Sequence, residues 1–432
     1  MKKLIVSILC CILSLAAIAQ QETTQFMRDL SALKGISDVK PLQSTRFKEK
    51  YVMKIQQNVN GHDASDGTFT QRIFVGLKGL DRPTVIVTEG YQAGYGFSQG
   101  YEEELCRLFN ANIVLCEYRF FDESTPNPCN WDFLTVENSL ADLHNVRQTI
   151  GQLLKGKWIS TGTSKGGQTT MFYRVFYPND VDVSVSYVAP LNASVEDGRH
   201  EKFIAKQAGT KADRKIILKA QQEMLKRRDR LVPMFEEYCK KHNYNFYLPI
   251  EEIFDYVVME YSFAHWQYGT PTSQIPPVTA SDEELLNHFL NVSGPDYFAY
   301  PSKYLSFDVQ AARELGYYGY SLKGLKKWTV VKDTKGYLNK IMLPPSLRSI
   351  KFDPTLYNRT VKFLKEEDPT HIFIYGSNDP WSASGVCTWL DCSKKQNMRV
   401  YVKPGGDHGS SIVTMPEDVK NEIINRITKW LE

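Results

Sequence analysis

The chain has 432 residues, 42% of them hydrophobic and 12% aromatic, and its 52 Lys and Arg against 49 Asp and Glu leave a formal charge of +3. That length is ample for a full α/β core plus a second substantial element. So even a charge balance gives no electrostatic footprint for nucleic acid or an anionic surface, and neither is expected as a partner.

Residues 1–19 read as a signal peptide. Lys2 and Lys3 form a basic start, residues 4–15 are an apolar run too short to cross a bilayer comfortably, and Ala17-Ile18-Ala19 is a small-x-small cleavage signal. The expectation is an exported protein, periplasmic or secreted. Cys10 and Cys11 invite a lipoprotein reading, but Leu9 and Cys10 do not match the small residue that precedes a lipidated cysteine. No other run approaches transmembrane length, so no membrane span is expected.

Residues 48–77 alternate in a strand-like way around Gly61-His62-Asp63-Ala64-Ser65-Asp66-Gly67 and predict an antiparallel opening to a sheet. A buried strand over 84–89 (TVIVTE), a helix over 97–109, a strand over 111–117 and a helix over 134–154 follow by their apolar spacing. Next come a β-rich run from Trp158, a helix-like stretch over 168–177 and a strand over 181–188. Such alternation implies a mostly parallel sheet with helices on both faces. From 192 to 347 it stops, and charged helical stretches such as 202–230 and 283–292 take over, with enough Tyr and Phe to fold rather than remain a linker. Strands resume at 370–375 (THIFIY) and 398–403 (MRVYVK). The fold class is therefore α/β, an α/β-hydrolase in two parts (20–191 and 348–432) with a mainly helical cap inserted over 192–347.

The chemistry is carried by Gly162-Thr163-Ser164-Lys165-Gly166, a G-x-S-x-G between strand and helix. A sharp turn there pushes a serine hydroxyl out of the chain while glycines admit close backbone approach. Serine is a weak nucleophile alone and needs a histidine to take its proton and a carboxylate to hold the imidazole, in this fold in the order Ser, Asp or Glu, His. Asp379 follows the strand at 370–375, and His408 follows the strand at 398–403 in Gly405-Gly406-Asp407-His408-Gly409. Of the eight histidines only His408 lies in a late Gly-rich loop. Asp407 would point away from its sequence neighbour His408, and Asp391 is a weaker rival inside a Cys-bounded loop. Acyl transfer also needs two N–H donors for the oxyanion, expected at Lys165 and, after the strand at 84–89, at Tyr91. Glu89, beside that loop, can bind a substrate ammonium.

Six cysteines lie beyond the leader, and the close spacing of Cys387 and Cys392 in an exported chain predicts a local disulfide beside the Asp379 loop. Cys116 fits a buried thiol. No Cys or His spacing suits a metal, and this chemistry calls for no cofactor.

Thr68-Phe69-Thr70-Gln71-Arg72, Glu89-Gly90-Tyr91, residues 117–124 (EYRFFDES), 162–167 (GTSKGG) and 314–320 (ELGYYGY) together resemble the secreted bacterial tripeptidyl aminopeptidase family of serine peptidases, relatives of the lysosomal prolyl carboxypeptidases and dipeptidyl peptidases. The resemblance implies an α/β-hydrolase fold with a helical cap, a triad of Ser164, Asp379 and His408, and release of short N-terminal peptides, often after proline. Lys165 replaces an aromatic of the lysosomal relatives and favours the bacterial branch. The implied substrates are peptides with a free N-terminus. A buried carboxylate at a fixed distance from Ser164 would measure from the amine, and Glu89 and Glu314 are the two candidates. An esterase or lipase on the same fold is the alternative, although the charged cap is unlike an apolar lid.

Overall fold

In the computed structural model, residues 24–432 are described, so the leader read at 1–19 lies outside the described residues. The chain opens with helix α1 (Gln25–Ala32), capped by Thr24. Strands β1 (Ile36–Leu42), β2 (Glu49–Asn60) and β3 (Asp63–Leu77) pair antiparallel. Then follow β4 (Thr84–Val87), α2 (Glu104–Leu108), β5 (Asn112–Cys116), α3 (Val136–Ile150), β6 (Trp158–Thr163), α4 (Lys165–Phe176) and β7 (Val183–Tyr187). The inserted segment holds α5 (Arg199–Lys206), α6 (Lys211–Lys226), α7 (Arg228–Lys241), α8 (Ile250–Gln267), α9 (Asp282–Val292) and α10 (Leu305–Gln310). Helix α11 (Thr355–Glu366), β8 (His371–Gly376), β9 (Arg399–Lys403) and α12 (Glu417–Leu431) complete the chain.

One sheet of order β1-β2-β3-β5-β4-β6-β7-β8-β9 results, parallel from β5 through β9. Strands β4 to β8 are buried along their whole length apart from Thr163, as parallel strands covered on both faces must be, whereas β1 and β9 at the edges are partly exposed. Alternate residues serve opposite faces: Ile86 packs with α3, α4 and α11, while Val85 and Val87 pack with α2 and α12. This is the α/β-hydrolase fold.

No strand lies between β7 and β8. There α8 is apolar almost all round and runs through the middle of a separate apolar cluster with α6, α7 and α9. That cluster also takes in Tyr118, Phe120 and Phe121, which follow β5, and Trp381, which follows β8.

Two expectations are corrected here. The helix expected over 97–109 is a 3-10 turn at Gly94–Phe97 and the short α2, separated by irregular chain. Carbonyls a helix would need are taken elsewhere: Lys50 Nζ donates to the Ser98 oxygen (2.8 Å) and Thr45 N–H to that of Gln99 (3.0 Å). Cys387 and Cys392 form no disulfide, and all six described cysteines are free. Cys387 sits in the 3-10 turn Val386–Thr388 with its thiol donating to the Ser382 carbonyl (3.4 Å), and burial pushes its pKa up to about 12. Cys392 lies in the following turn, under the field of Arg399 and Lys395.

Candidate active site

Ser164 stands between β6 and α4 at φ 58°, ψ −119°, a left-handed conformation that costs a non-glycine residue energy and persists only where packing over-determines it. The packing is visible in the glycines. A Cβ on Gly162 would lie 2.4 Å from the Gly166 carbonyl carbon, and one on Gly167 would lie 2.5 Å from the Tyr187 oxygen. Ser164 N–H donates to that same Tyr187 carbonyl at 2.9 Å, tying the turn to β7.

Asp379 and His408 leave the ends of β8 and β9, whose loops are stitched together by Ser377 N–H to Lys403 O (3.0 Å) and Asn378 N–H to Gly406 O (2.8 Å). The Asp379 carboxylate is fully buried and accepts from His408 Nδ1 at 2.8 Å. That bond fixes the proton on Nδ1 and leaves Nε2 as the acceptor. Nε2 is buried and makes no hydrogen bond. His408 N–H is held by the Gln267 carbonyl at the end of α8 (3.1 Å), so the inserted segment helps place the imidazole. Ser164 and His408 line one cavity of about 640 Å³. Asp407 instead accepts from Gly409 N–H (2.9 Å) and shapes the turn.

Lys165 is the first residue of α4, so its N–H has no intrahelical acceptor. Its side chain is buried, with Nζ donating to the Gly90 carbonyl (2.5 Å) and lying 3.5 Å from the centre of the Tyr118 ring. Burial drives its pKa well below the ordinary lysine range, opposed by Glu89 and Glu314. This side chain staples the Gly90 loop to α4.

Glu89 lines the cavity at φ 49°, with both carboxylate oxygens engaged: Oε1 accepts Tyr91 N–H (3.2 Å) and Oε2 accepts the Tyr95 hydroxyl (2.5 Å). Burial raises its pKa. The Tyr91 N–H expected to face an oxyanion is thus turned onto Glu89 by a long bond, and it serves an oxyanion only by exchanging that partner. Glu314 is corrected outright. It is not in the cavity wall, because its Oε1 accepts the N–H of Val136 (2.7 Å) at the start of α3, where a carboxylate meets the positive end of the helix. Burial moves its pKa up to about 7.

Besides the exposed Asp296, two buried cavity carboxyls carry no mark in the sequence reading. Glu260 of α8 is 6% exposed and accepts the hydroxyls of Tyr318 (2.9 Å) and Tyr320 (2.7 Å). Asp308 of α10 accepts the Ser302 hydroxyl (3.1 Å). Burial raises them to about 7 and about 8. The one signal for Glu260 was an acid breaking the apolar run Val257-Val258-Met259-Glu260-Tyr261. Among the described residues no group of three or more His, Cys, Asp or Glu is placed to hold a metal ion, and no helix is long and apolar enough to cross a membrane.

The profile of the PS-10 peptidase S37 family matches residues 22–432. The chain is 30% identical over 401 residues to the prolyl tri/tetrapeptidyl aminopeptidase of Streptomyces mobaraensis, covering 90% of this chain and 81% of that protein. It is 22% identical over 414 residues to a probable serine protease, EDA2, of Arabidopsis thaliana, covering 81% and 82%. Among solved structures, the proline iminopeptidase of Mycobacterium smegmatis aligns over 91% of this chain and 99% of its own, with 10% identity and a TM-score of 0.39. The chain belongs to the PS-10 peptidase S37 family and is a serine peptidase.

Proposed function

We propose that the protein is an exported serine exopeptidase that releases short peptides, three residues long and ending in proline, from free N-termini. The observation that carries this reading is the cavity, lined by a serine and a histidine together with buried carboxyls of an inserted helical segment. Ser164 Oγ attacks the scissile carbonyl as its proton passes to His408 Nε2, while Asp379 keeps the imidazole in the Nδ1–H tautomer and balances the imidazolium. The tetrahedral oxyanion takes the N–H groups of Lys165 and Tyr91, the latter released from Glu89; each such donor contributes about 10²–10³ in rate. His408 then protonates the leaving amine, and water attacks the acyl-enzyme by the same route in reverse. Residues 192–347 act as the cap that restricts access. The leader-like residues 1–19 support export, and the activity named for the Streptomyces relative supports release after proline of pieces three or four residues long, of which three is proposed here.

The test is a fluorophosphonate probe with a matched pair of substrates, alanyl-alanyl-prolyl p-nitroanilide with a free amine and the same compound N-acetylated. Labelling at Ser164 and preference for the free amine are expected. Labelling at another serine overturns the nucleophile, and equal turnover of the two anilides overturns the exopeptidase.

A further inference from the structure

Four carboxylates face the cavity, and they are not equivalent. Asp296 is paired with Lys303 (3.4 Å), and both are substantially exposed. Glu89 has both oxygens occupied by Tyr91 N–H and the Tyr95 hydroxyl. Asp308 is held by Ser302 alone. Glu260, like Asp308, is buried with one oxygen left open, but its other oxygen is the more firmly held. Two tyrosine hydroxyls fix one oxygen, Oε2, while Oε1 accepts no hydrogen bond from the described residues. No lysine or arginine figures among the influences on it. A buried carboxylate without a cation is costly, and it is retained where a cation arrives from outside.

Its holders are themselves rigid. Tyr318 stacks on Phe263 (3.7 Å between ring centres), and the Tyr297 hydroxyl bridges those of Tyr317 (2.5 Å) and Tyr318 (3.1 Å). From there the wall runs to the catalytic end in two ring-to-ring steps, Tyr318 to Trp381 (5.3 Å) and Trp381 to His408 (6.2 Å).

We propose that Glu260 is the group that binds the α-ammonium of the peptide substrate and that its distance from Ser164 sets how many residues are released. The assignment rests on the exopeptidase reading above. A compact ammonium with three N–H donors suits the open oxygen, and a desolvated charge-assisted bond is strong enough to select for it. Glu89 then serves the loop that carries Tyr91 rather than the substrate.

The experiment measures kcat/KM for the free and N-acetylated alanyl-alanyl-prolyl anilides in wild type, Glu260→Gln, Glu260→Asp and Asp308→Asn, with fluorophosphonate labelling of Ser164 to show an intact site. Wild type should prefer the free amine by about 100-fold, the scale of a buried charge pair losing one partner. In Glu260→Gln that ratio should collapse to within about threefold, and in Asp308→Asn it should stay above about tenfold. If Glu260→Gln fails to label, Glu260→Asp decides, since withdrawing the carboxylate by one methylene should cut the ratio by about tenfold. A ratio unchanged in the Glu260 variant that labels, or lost in Asp308→Asn instead, overturns the assignment and leaves the exopeptidase standing. A wild type indifferent to acetylation overturns both.

Discussion

Glu260→Gln should make the protein more stable at alkaline pH. In the native state the carboxyl is buried and its pKa is moved from 4.5 to about 7 by desolvation, only partly offset by the hydroxyls of Tyr320 and Tyr318. At about 1.4 kcal/mol for each pH unit, that displacement is worth about 3 kcal/mol. The sign follows from proton counting. Below pH 4.5 the group is protonated in both states and costs nothing. Between 4.5 and about 7 the native state keeps a proton that the unfolded chain has released, so stability falls as pH rises, and above 7 the full cost is present. Gln never ionises, and its amide oxygen still accepts from the tyrosines. Urea unfolding of both proteins, followed by tryptophan fluorescence at pH 5 and pH 8.5, should show the advantage of the variant growing by about 2–3 kcal/mol over that range. A difference constant with pH, or one growing in favour of wild type, would refute the idea that Glu260 is an unpaired interior acid.

His408→Ala should lower turnover by at least about 10³-fold, whereas His371→Ala should keep fluorophosphonate labelling and lose only stability, because His371 is buried in β8 with its Nε2 on the Ser186 hydroxyl (2.9 Å); a dead His371→Ala beside an active His408→Ala would reverse the assignment. Gly90→Ala would place a Cβ 2.7 Å from Lys165 Cγ and 3.0 Å from Gly166 N, driving the oxyanion loop off the nucleophile helix. Its kcat should fall about 100-fold and its stability by about 1–3 kcal/mol, and normal kinetics in this variant would show the loop to be free to move. Alkylation of the unfolded, unreduced protein should modify both Cys387 and Cys392, and a bridged peptide in the digest would contradict the free thiols.

The legible parts were those in which sequence order and spatial order coincide. Asp379 and His408 each stand past a strand of the sheet, the buried β8 and the edge strand β9, and neighbouring parallel strands bring such loops together whatever else the chain does. Side-chain direction within irregular segments was not legible. Glu314 shares the segment 314–320 with the cavity tyrosines, but a single π-helical turn over Ala311–Leu315 and Gly316 at φ 68° reverse the chain, sending Glu314 to α3 and Tyr317 and Tyr318 to the cavity. Glu260 was passed over for the opposite reason. Its helix is so apolar that it reads as pure core, and the tyrosines that hold it lie about 60 residues away in sequence. The disulfide failed because spacing reports only the length of a loop, not the inward rotation of the Cys387 thiol.

The apolar cluster common to the inserted helices and to Tyr118, Phe120, Phe121 and Trp381 has a mechanical meaning. Swinging the insertion away would wet those four aromatic side chains along with their partners, at a cost on the order of 10 kcal/mol. An opening of that size is rarely populated, so in the proposed exopeptidase the insertion would act as a letterbox rather than a door. Selection would then be by cross-section: a slender, unfolded strand end could be posted through, and a folded domain would be turned away by its girth before any chemistry begins.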